Sequence, residues 1–355
     1  MYLIVNQQEN FCFNDLFLLL SLQHTNLSDM KNQKILGIGS ALVDILTQVP
    51  NEQVLQELHL PKGSMTYVDA ETSVRLAHQM TQYGSQLASG GSAGNTMSGL
   101  ANLGIEAGFL SKIGTDELGE FFKKQMADSH VQPLMLTSAT PTGRVIAMVT
   151  PDGERTFATC LGASAEMRPD DIKPELFDGW DIFYVEGYLV ANPDMLKTAI
   201  ATAKAKGLKI AIDLASYNVV EESRDFLLDL INHDVDIVFA NEQEAFTLTG
   251  MEPEAALHFL AERCEIAVVK VGAKGAYIQR GSEVVTVPPM QANVVDTTGA
   301  GDMWAAGFLA GLVKGCDLQK CGTMGTLLAT NIIEVVGAKM DERRWTKIHE
   351  AIAKL

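Results

Sequence analysis

Short, unbroken apolar runs alternate with stretches of helical spacing along most of the chain. "KILGIG" (34–39), "EAGFLSKIG" (106–114), "DIFYVEG" (181–187), "LKIAIDL" (208–214), "VDIVFANE" (235–242) and "EIAVVKVG" (265–272) are too short for helices and read as buried strands. Between them lie helical patterns: "DAETSVRLAHQM" (69–80) with Asp69 as N-cap, "SAGNTMSGLANLG" (92–104) stopped by Gly104, and "DELGEFFKKQMADS" (116–129). Further helices are expected near 193–206, 221–231 and 243–262, and from Ala300 onward; two short strands are expected near 275–287.

Repeated strand–helix units predict an α/β fold: three αβα layers around a mainly parallel central sheet. Two regions break the alternation. Residues 43–68 and 133–160 read as strand–turn–strand, the second carrying "PDGE" between "TGRVIAMVT" and "RTFATC". These pieces are expected to pair as a small, discontinuous β-strand lid on a domain spanning 30–355, or else to extend the edge of the main sheet. Residues 1–29 read as an N-terminal extension. Their apolar core, "FCFNDLFLLLSLQ" (11–23), is interrupted by Asn14 and Asp15 and is too short to span a bilayer.

Composition narrows the partners. The 355 residues are 47% hydrophobic and 20% charged, an ordinary globular profile, and carry a formal net charge of −17. That field disfavours nucleic acid and anionic membranes as partners, while a helix N-terminus can still hold a small phosphate. The 5 cysteines are scattered, without a CxxC pair. They fit a reducing, cytoplasmic setting better than a disulfide framework or zinc site.

The densest chemical signal is "VVDTTGAGDMWAAGFLAG" (294–311): small residues, one carboxylate at Asp302, then a long apolar run. A helix starting at Gly299-Ala300-Gly301 would aim free N–H groups at open space and form an anion site. An acid in a first helical turn is also ordinary dipole complementation. The sharper reading is phosphoryl transfer to an alcohol, which needs fixed donors for growing negative charge and a proton acceptor for the attacking hydroxyl.

"DTTGAGDMWAAGF" resembles the C-terminal signature of the ribokinase-like (PfkB) carbohydrate kinase family, and "ASGGSAGNTMSGLANLG" (88–104) resembles its N-terminal glycine signature. Element order matches from about Lys34 to Gly337. Within the family, "GIGSALVDIL" (37–46), "GGSAGNT" (90–96), "PTG" (141–143) and "ANEQEA" (240–245) are most similar to the adenosine kinases.

The resemblance implies an ATP- and magnesium-dependent kinase. It makes Asp302 the general base, and Gly299, Ala300 and Gly301 the anion hole. Asp44, Gly90, Gly91 and Asn95 would bind a ribose-like acceptor; a turn acid and helix-start chemistry are the plain alternatives. Asn241 and Glu244 match an N-x-x-E element that organises magnesium through water, although the same spacing is a common capping pattern. Gly272 and Gly275 in "KVGAKG" would wrap the nucleotide or simply form a hairpin turn. Asp296 and Thr298 would help hold a monovalent cation such as K⁺, with Thr298 also near the nucleotide. Arg155, on the expected lid, would clamp phosphate or stand in solvent. Tyr67, Phe157 and Tyr188 are candidate walls for a base. Adenosine is the favoured acceptor, with ribose, fructose or a related sugar as alternative. A monomer and a lid-mediated homodimer both stay open.

Other classes fit poorly. "GIGSAL" lacks the last glycine of a dinucleotide fingerprint, no Gly-Lys-Ser/Thr occurs, and HExxH is absent. A non-catalytic nucleoside- or sugar-binding sensor is the rival from another class, and the intact Asp302 frame argues against it.

Overall fold

The computed structural model describes residues 33–355, so the expectation for residues 1–29 lies outside the described residues. Among the described residues, fourteen strands form two sheets. In chain order they are β1 (Ile35–Ile38), β2 (Leu42–Gln48), β3 (Met65–Tyr67), β4 (Ser85–Gly90), β5 (Ala107–Gly114), β6 (Val131–Ser138) and β7 (Thr142–Val149). Then follow β8 (Arg155–Gly162), β9 (Ile182–Glu186), β10 (Lys209–Asp213), β11 (Ile237–Asn241), β12 (Ile266–Lys270), β13 (Ala276–Arg280) and β14 (Glu283–Val287).

The large sheet has 9 strands in the order β14-β13-β12-β11-β10-β9-β1-β5-β6. It is parallel from β12 to β6, with β13 and β14 antiparallel at one edge. Strand alternation divides its side chains between two cores. Ile35, Tyr184, Phe239 and Val268 pack on one face beneath helices Ser92–Asn102, Ala300–Val313 and Leu318–Ile332. Leu36, Phe183, Val238 and Val269 pack on the other, beneath Pro193–Ala205, Arg224–His233 and Pro253–Ala261. With both faces covered, these strands carry continuous apolar runs. This is the ribokinase-like αβα arrangement.

The small sheet has 5 strands in the order β3-β8-β7-β2-β4. Its buried side, including Ile45, Ile146 and Met148, packs against Leu76 and Met80 of helix Ala70–Met80. Asp69 caps that helix by accepting from Thr72 N–H at 2.7 Å. Because Ile45 points into this core, Asp44 points to the opposite face.

The strand assignments differ from expectation in three places. Residues 43–68 do not form a hairpin: β2 and β3 are separated by helix Gln53–Glu57, and β2 pairs instead with β4 and β7. β6 belongs to the large sheet, where Pro133 is tolerated because the strand lies at the edge. β4, whose "SQLASG" lacks apolar alternation, joins the small sheet because β2 supplies its backbone partners. The β7–β8 hairpin around "PDGE" forms as the turn chemistry predicts.

Candidate active site

The site begins with four consecutive parallel strands that end in polar residues: Glu186, Asp213, Asn241 and Lys270 close β9, β10, β11 and β12. The carboxyl edge of a parallel sheet is where such folds place ligands, especially where strand order reverses. Here the chain leaves β1 for the small sheet, bringing Asp44 over the same edge.

Two helix starts converge above the edge. Gly299 adopts φ 76°, a left-handed conformation that suits glycine, and turns the chain into helix Ala300–Val313. The Ala300 N–H turns back to the Thr297 carbonyl at 3.2 Å, whereas Gly301 and Asp302 occupy the first-turn positions whose amides lack helical partners. The helix is buried from Met303 to Val313, and its small residues permit close packing. A Cβ on Gly99 would stand 2.8 Å from Ala306 Cβ, and one on Gly307 2.5 Å from the Met324 carbonyl oxygen.

This packing sets Asp302 against the start of helix Ser92–Asn102. The Ser92 hydroxyl donates to Asp302 Oδ1 at 2.7 Å, and Asn95 Nδ2 donates to Oδ2 at 2.9 Å. Asp302 is therefore not a simple cap of its own helix, whose start has no side-chain capping bond. Burial pushes its pKa up to about 6; the Ser92 and Asn95 hydrogen bonds and Lys270 oppose the shift, while Asp213 reinforces it. Asn95 Oδ1 is buried without a partner, an acceptor suited to a hydroxyl.

Gly90 and Gly91 bring the backbone close to Asp44 and Ser40. A Cβ on Gly90 would lie 2.5 Å from Asp44 Oδ1; Gly91, at φ 87°, would put one 2.2 Å from the Ser40 carbonyl oxygen. Burial raises Asp44 to about 6, against the pull of Lys339 and Arg155. Glu186 fastens both turns beneath, accepting from Ala93 N–H at 3.0 Å and Ser40 N–H at 3.3 Å. Its burial raises it to about 7, with Asp302 adding repulsion.

On the other side of Asp302 lies a cavity of about 1010 Å³, lined by Asn241, Glu244, Gly272, Gly275, Gly301 and Asp302 among others. Lys270 Nζ donates to Asp213 Oδ2 at 2.9 Å and lies 3.3 Å from where a Cβ on Gly301 would stand. Burial would lower Lys270, but the Asp213 and Glu244 carboxylates outweigh it and hold the ammonium above the usual lysine range. Asn241 and Glu244 form a reciprocal capping box: Glu244 N–H donates to Asn241 Oδ1, and Asn241 N–H to Glu244 Oε2, both at 2.8 Å. Burial and the Asp213 charge raise Glu244 to about 7, with Lys270 opposing. The capping role and a place in the cavity wall therefore coincide. Gly275, at φ 99°, lets its turn pass Val287, whose carbonyl oxygen would lie 2.0 Å from a Cβ there.

Arg155 and Asp296 occupy a different relationship from the one expected. Arg155 Nη1 pairs with Asp296 Oδ2 at 2.7 Å and donates to Thr298 Oγ1 at 3.3 Å. The Gly337 N–H also donates to Asp296 Oδ2 at 2.6 Å, and Thr298 N–H and hydroxyl donate to Oδ1. Burial works against the Asp296 charge, yet these donors hold its pKa below the usual carboxylate range. A carboxylate surrounded by N–H donors and a guanidinium does not fit a K⁺ ligand. Arg155 joins the small sheet to the signature loop instead of standing free.

Ser92, Glu186, Asp213, Lys270 and Lys339 were not singled out from sequence. Ser92 sits inside the glycine signature, and "VEG", "IDL" and "VKVG" end strands, so strand-end position is the signal that could have found three of them. Tyr188 lines the cavity; Tyr67 and Tyr188 lie close enough for Glu186 to raise both phenols beyond the effect of burial. Phe157 pairs with Met65 on the small sheet.

A buried carboxylate beside bare helix-start amides, facing a cavity of about 1010 Å³, is suited to phosphoryl transfer onto a hydroxyl group. The family described as "pfkB family carbohydrate kinase" matches residues 64–343, and the chain belongs to that family. An uncharacterised sugar kinase of Archaeoglobus fulgidus is 30% identical over 251 residues, covering 68% of this chain and 96% of that protein. A nucleoside kinase of Methanocaldococcus jannaschii is 27% identical over 331 residues, covering 91% and 98%. The crystal structure of adenosine kinase from Sinorhizobium meliloti is similar at TM-score 0.79 and 36% identity, covering 90% of this chain and 99% of that one. The chain is thus a sugar or nucleoside kinase, for which the family implies ATP and typically Mg²⁺. Among the described residues, no helix is long and apolar enough to cross a membrane.

Proposed function

We propose that the protein transfers the γ-phosphoryl group of ATP to a primary hydroxyl of a nucleoside, with adenosine as the favoured acceptor. The observation that carries this reading is the setting of Asp302, a carboxylate held by Ser92 and Asn95 at the first turn of a helix and at the cavity wall. Asp302 takes the hydroxyl proton as the acceptor oxygen attacks phosphorus. The Gly299-Ala300-Gly301 turn stabilises the transferred group, chiefly through the Gly301 and Asp302 amides. Proton removal of this kind contributes about 10²–10⁴ in rate.

Asp44, Asn95, Gly90 and Gly91 hold the sugar hydroxyls, with the tyrosines at 67 and 188 offering a wall for the base. ATP occupies the cavity against Gly272 and Gly275. Bound Mg²⁺ would screen phosphate charge, and Glu244 would hold it through water. The small sheet closes as a lid over the acceptor and excludes competing water. Likeness to the nucleoside kinase of M. jannaschii and the adenosine kinase of S. meliloti supports the nucleoside reading; likeness to the A. fulgidus sugar kinase favours a simple sugar as the second.

Release of ADP, measured across a panel of nucleosides, ribose and fructose, tests the proposal. Adenosine should give the highest kcat/KM. Turnover of a simple sugar alone would replace the nucleoside reading, and binding without turnover of every alcohol would favour the sensor.

A further inference from the structure

Lys339 follows the last turn of the site, and its Nζ is buried without a hydrogen-bond partner. Its backbone neighbours tie it to the catalytic loop. The Gly337 N–H donates to Asp296, and a Cβ on Gly299 would stand 2.8 Å from Ala338 Cβ. The charged groups it feels are Asp44 and Asp302, which oppose the lowering effect of burial and leave its pKa at about 8. The ammonium is thus largely protonated near neutral pH, with three donors unused.

A buried charge without hydrogen bonds is unfavourable unless a partner arrives. Asp302 already accepts from Ser92 and Asn95. Asn95 Oδ1, also buried without a partner, is an acceptor and calls for a hydroxyl donor. The missing occupant must therefore bring a hydroxyl to Asn95 and Asp302 and negatively charged oxygen to Lys339. An alcohol meeting a phosphoryl group supplies both.

We propose that Lys339 is a catalytic residue that donates to the oxygens of the migrating phosphoryl group, opposite the Gly301 and Asp302 amides. As the acceptor oxygen forms its bond to phosphorus, the bridging P–O bond of ATP breaks and its electron pair leaves on ADP. The hydroxyl proton goes to Asp302, and Lys339 keeps its protons throughout. Lys270, paired with Asp213 and beside Gly301, holds a second positive charge, on the nucleotide side. This rests on the reading of Asp302 as base.

The test uses Lys339→Met and Lys339→Arg in the full chain. Turnover is read with whichever alcohol of the panel the wild type phosphorylates. Lys339→Met should lower kcat at least about thirtyfold, with acceptor KM within about threefold of wild type, and Lys339→Arg should recover part of kcat. In parallel, ADP affinity with Mg²⁺ is measured with and without tetrafluoroaluminate, a mimic of the migrating group. Tetrafluoroaluminate should tighten ADP binding to the wild type, and Lys339→Met should lose most of that gain while binding ADP alone normally. Neutralising an unpaired buried charge should leave the unfolding temperature unchanged or higher. A folded Lys339→Met enzyme with normal kcat, or one changed only in acceptor KM, overturns the proposal. The tetrafluoroaluminate arm needs no acceptor, so failure with adenosine alone sinks only the substrate reading.

Discussion

Arg155, on the small sheet, lies 2.7 Å from Asp296, in the signature loop of the large one. Both side chains are mostly buried, at 16% and 9% exposure. This ion pair ties the small sheet, the proposed acceptor cover, to the signature loop, the proposed anion hole. Arg155→Ala should lower the unfolding temperature, because it strips a charge partner from a desolvated carboxylate. It should also raise acceptor KM more than it lowers kcat if the small sheet acts as a lid. Calorimetry and steady-state kinetics measure the two effects, and an unchanged KM would disconnect the pair from acceptor binding.

Asp302→Asn should keep acceptor binding while reducing kcat at least about a hundredfold, the low end expected for losing a general base. Near-normal turnover would remove Asp302 from that role.

The pH profile follows from the same carboxylate. Asp302 must be ionised to accept a proton, and its pKa is raised to about 6. Activity should therefore fall as pH drops through about 6, hold between about 6 and 8, and fall again above about 8 as Lys339 loses its proton. Asn95→Ala removes a donor that favours the ionised form, so the acid limb of kcat/KM should move upward, by about one unit for a charged hydrogen bond. A downward or absent shift contradicts the hydrogen-bonded geometry.

Gly301→Ala probes the anion hole with little backbone strain, since Gly301 is not among the glycines at positive φ. The new methyl would stand 3.3 Å from Lys270 Nζ, in the space proposed for phosphoryl oxygen. Turnover should fall at least about tenfold with a nearly unchanged unfolding temperature. Retained turnover would place the phosphoryl group elsewhere.

Much of this site was legible before any coordinates. The setting of Asp302 among glycines announced a helix start with chemistry attached, and Asp69 and "PDGE" were placed by capping and turn rules. The small sheet was harder. β4 has no apolar alternation because its pairing is backbone-driven, and β6 hid behind Pro133, which an edge strand accepts. Glu186, Asp213 and Lys270 are single polar residues at the ends of apolar runs. Only parallel register brings them together: Asp213 stands beside Glu186, and Asn241 beside Lys270. Lys339 has no local pattern, because its importance comes from the Gly337 and Ala338 contacts with a loop some forty residues earlier.

The row of polar strand ends has a consequence for how this enzyme could change. Neighbouring strands stand about 4.8 Å apart because their amide ladders require it, so the pitch of the phosphate-side groups is fixed by main chain. Asp44 and Gly90, proposed to meet the acceptor, belong to a separate five-stranded layer with its own packing. Mutation can therefore retune which alcohol is admitted while the transfer apparatus keeps its dimensions, making the two halves of the reaction separately evolvable.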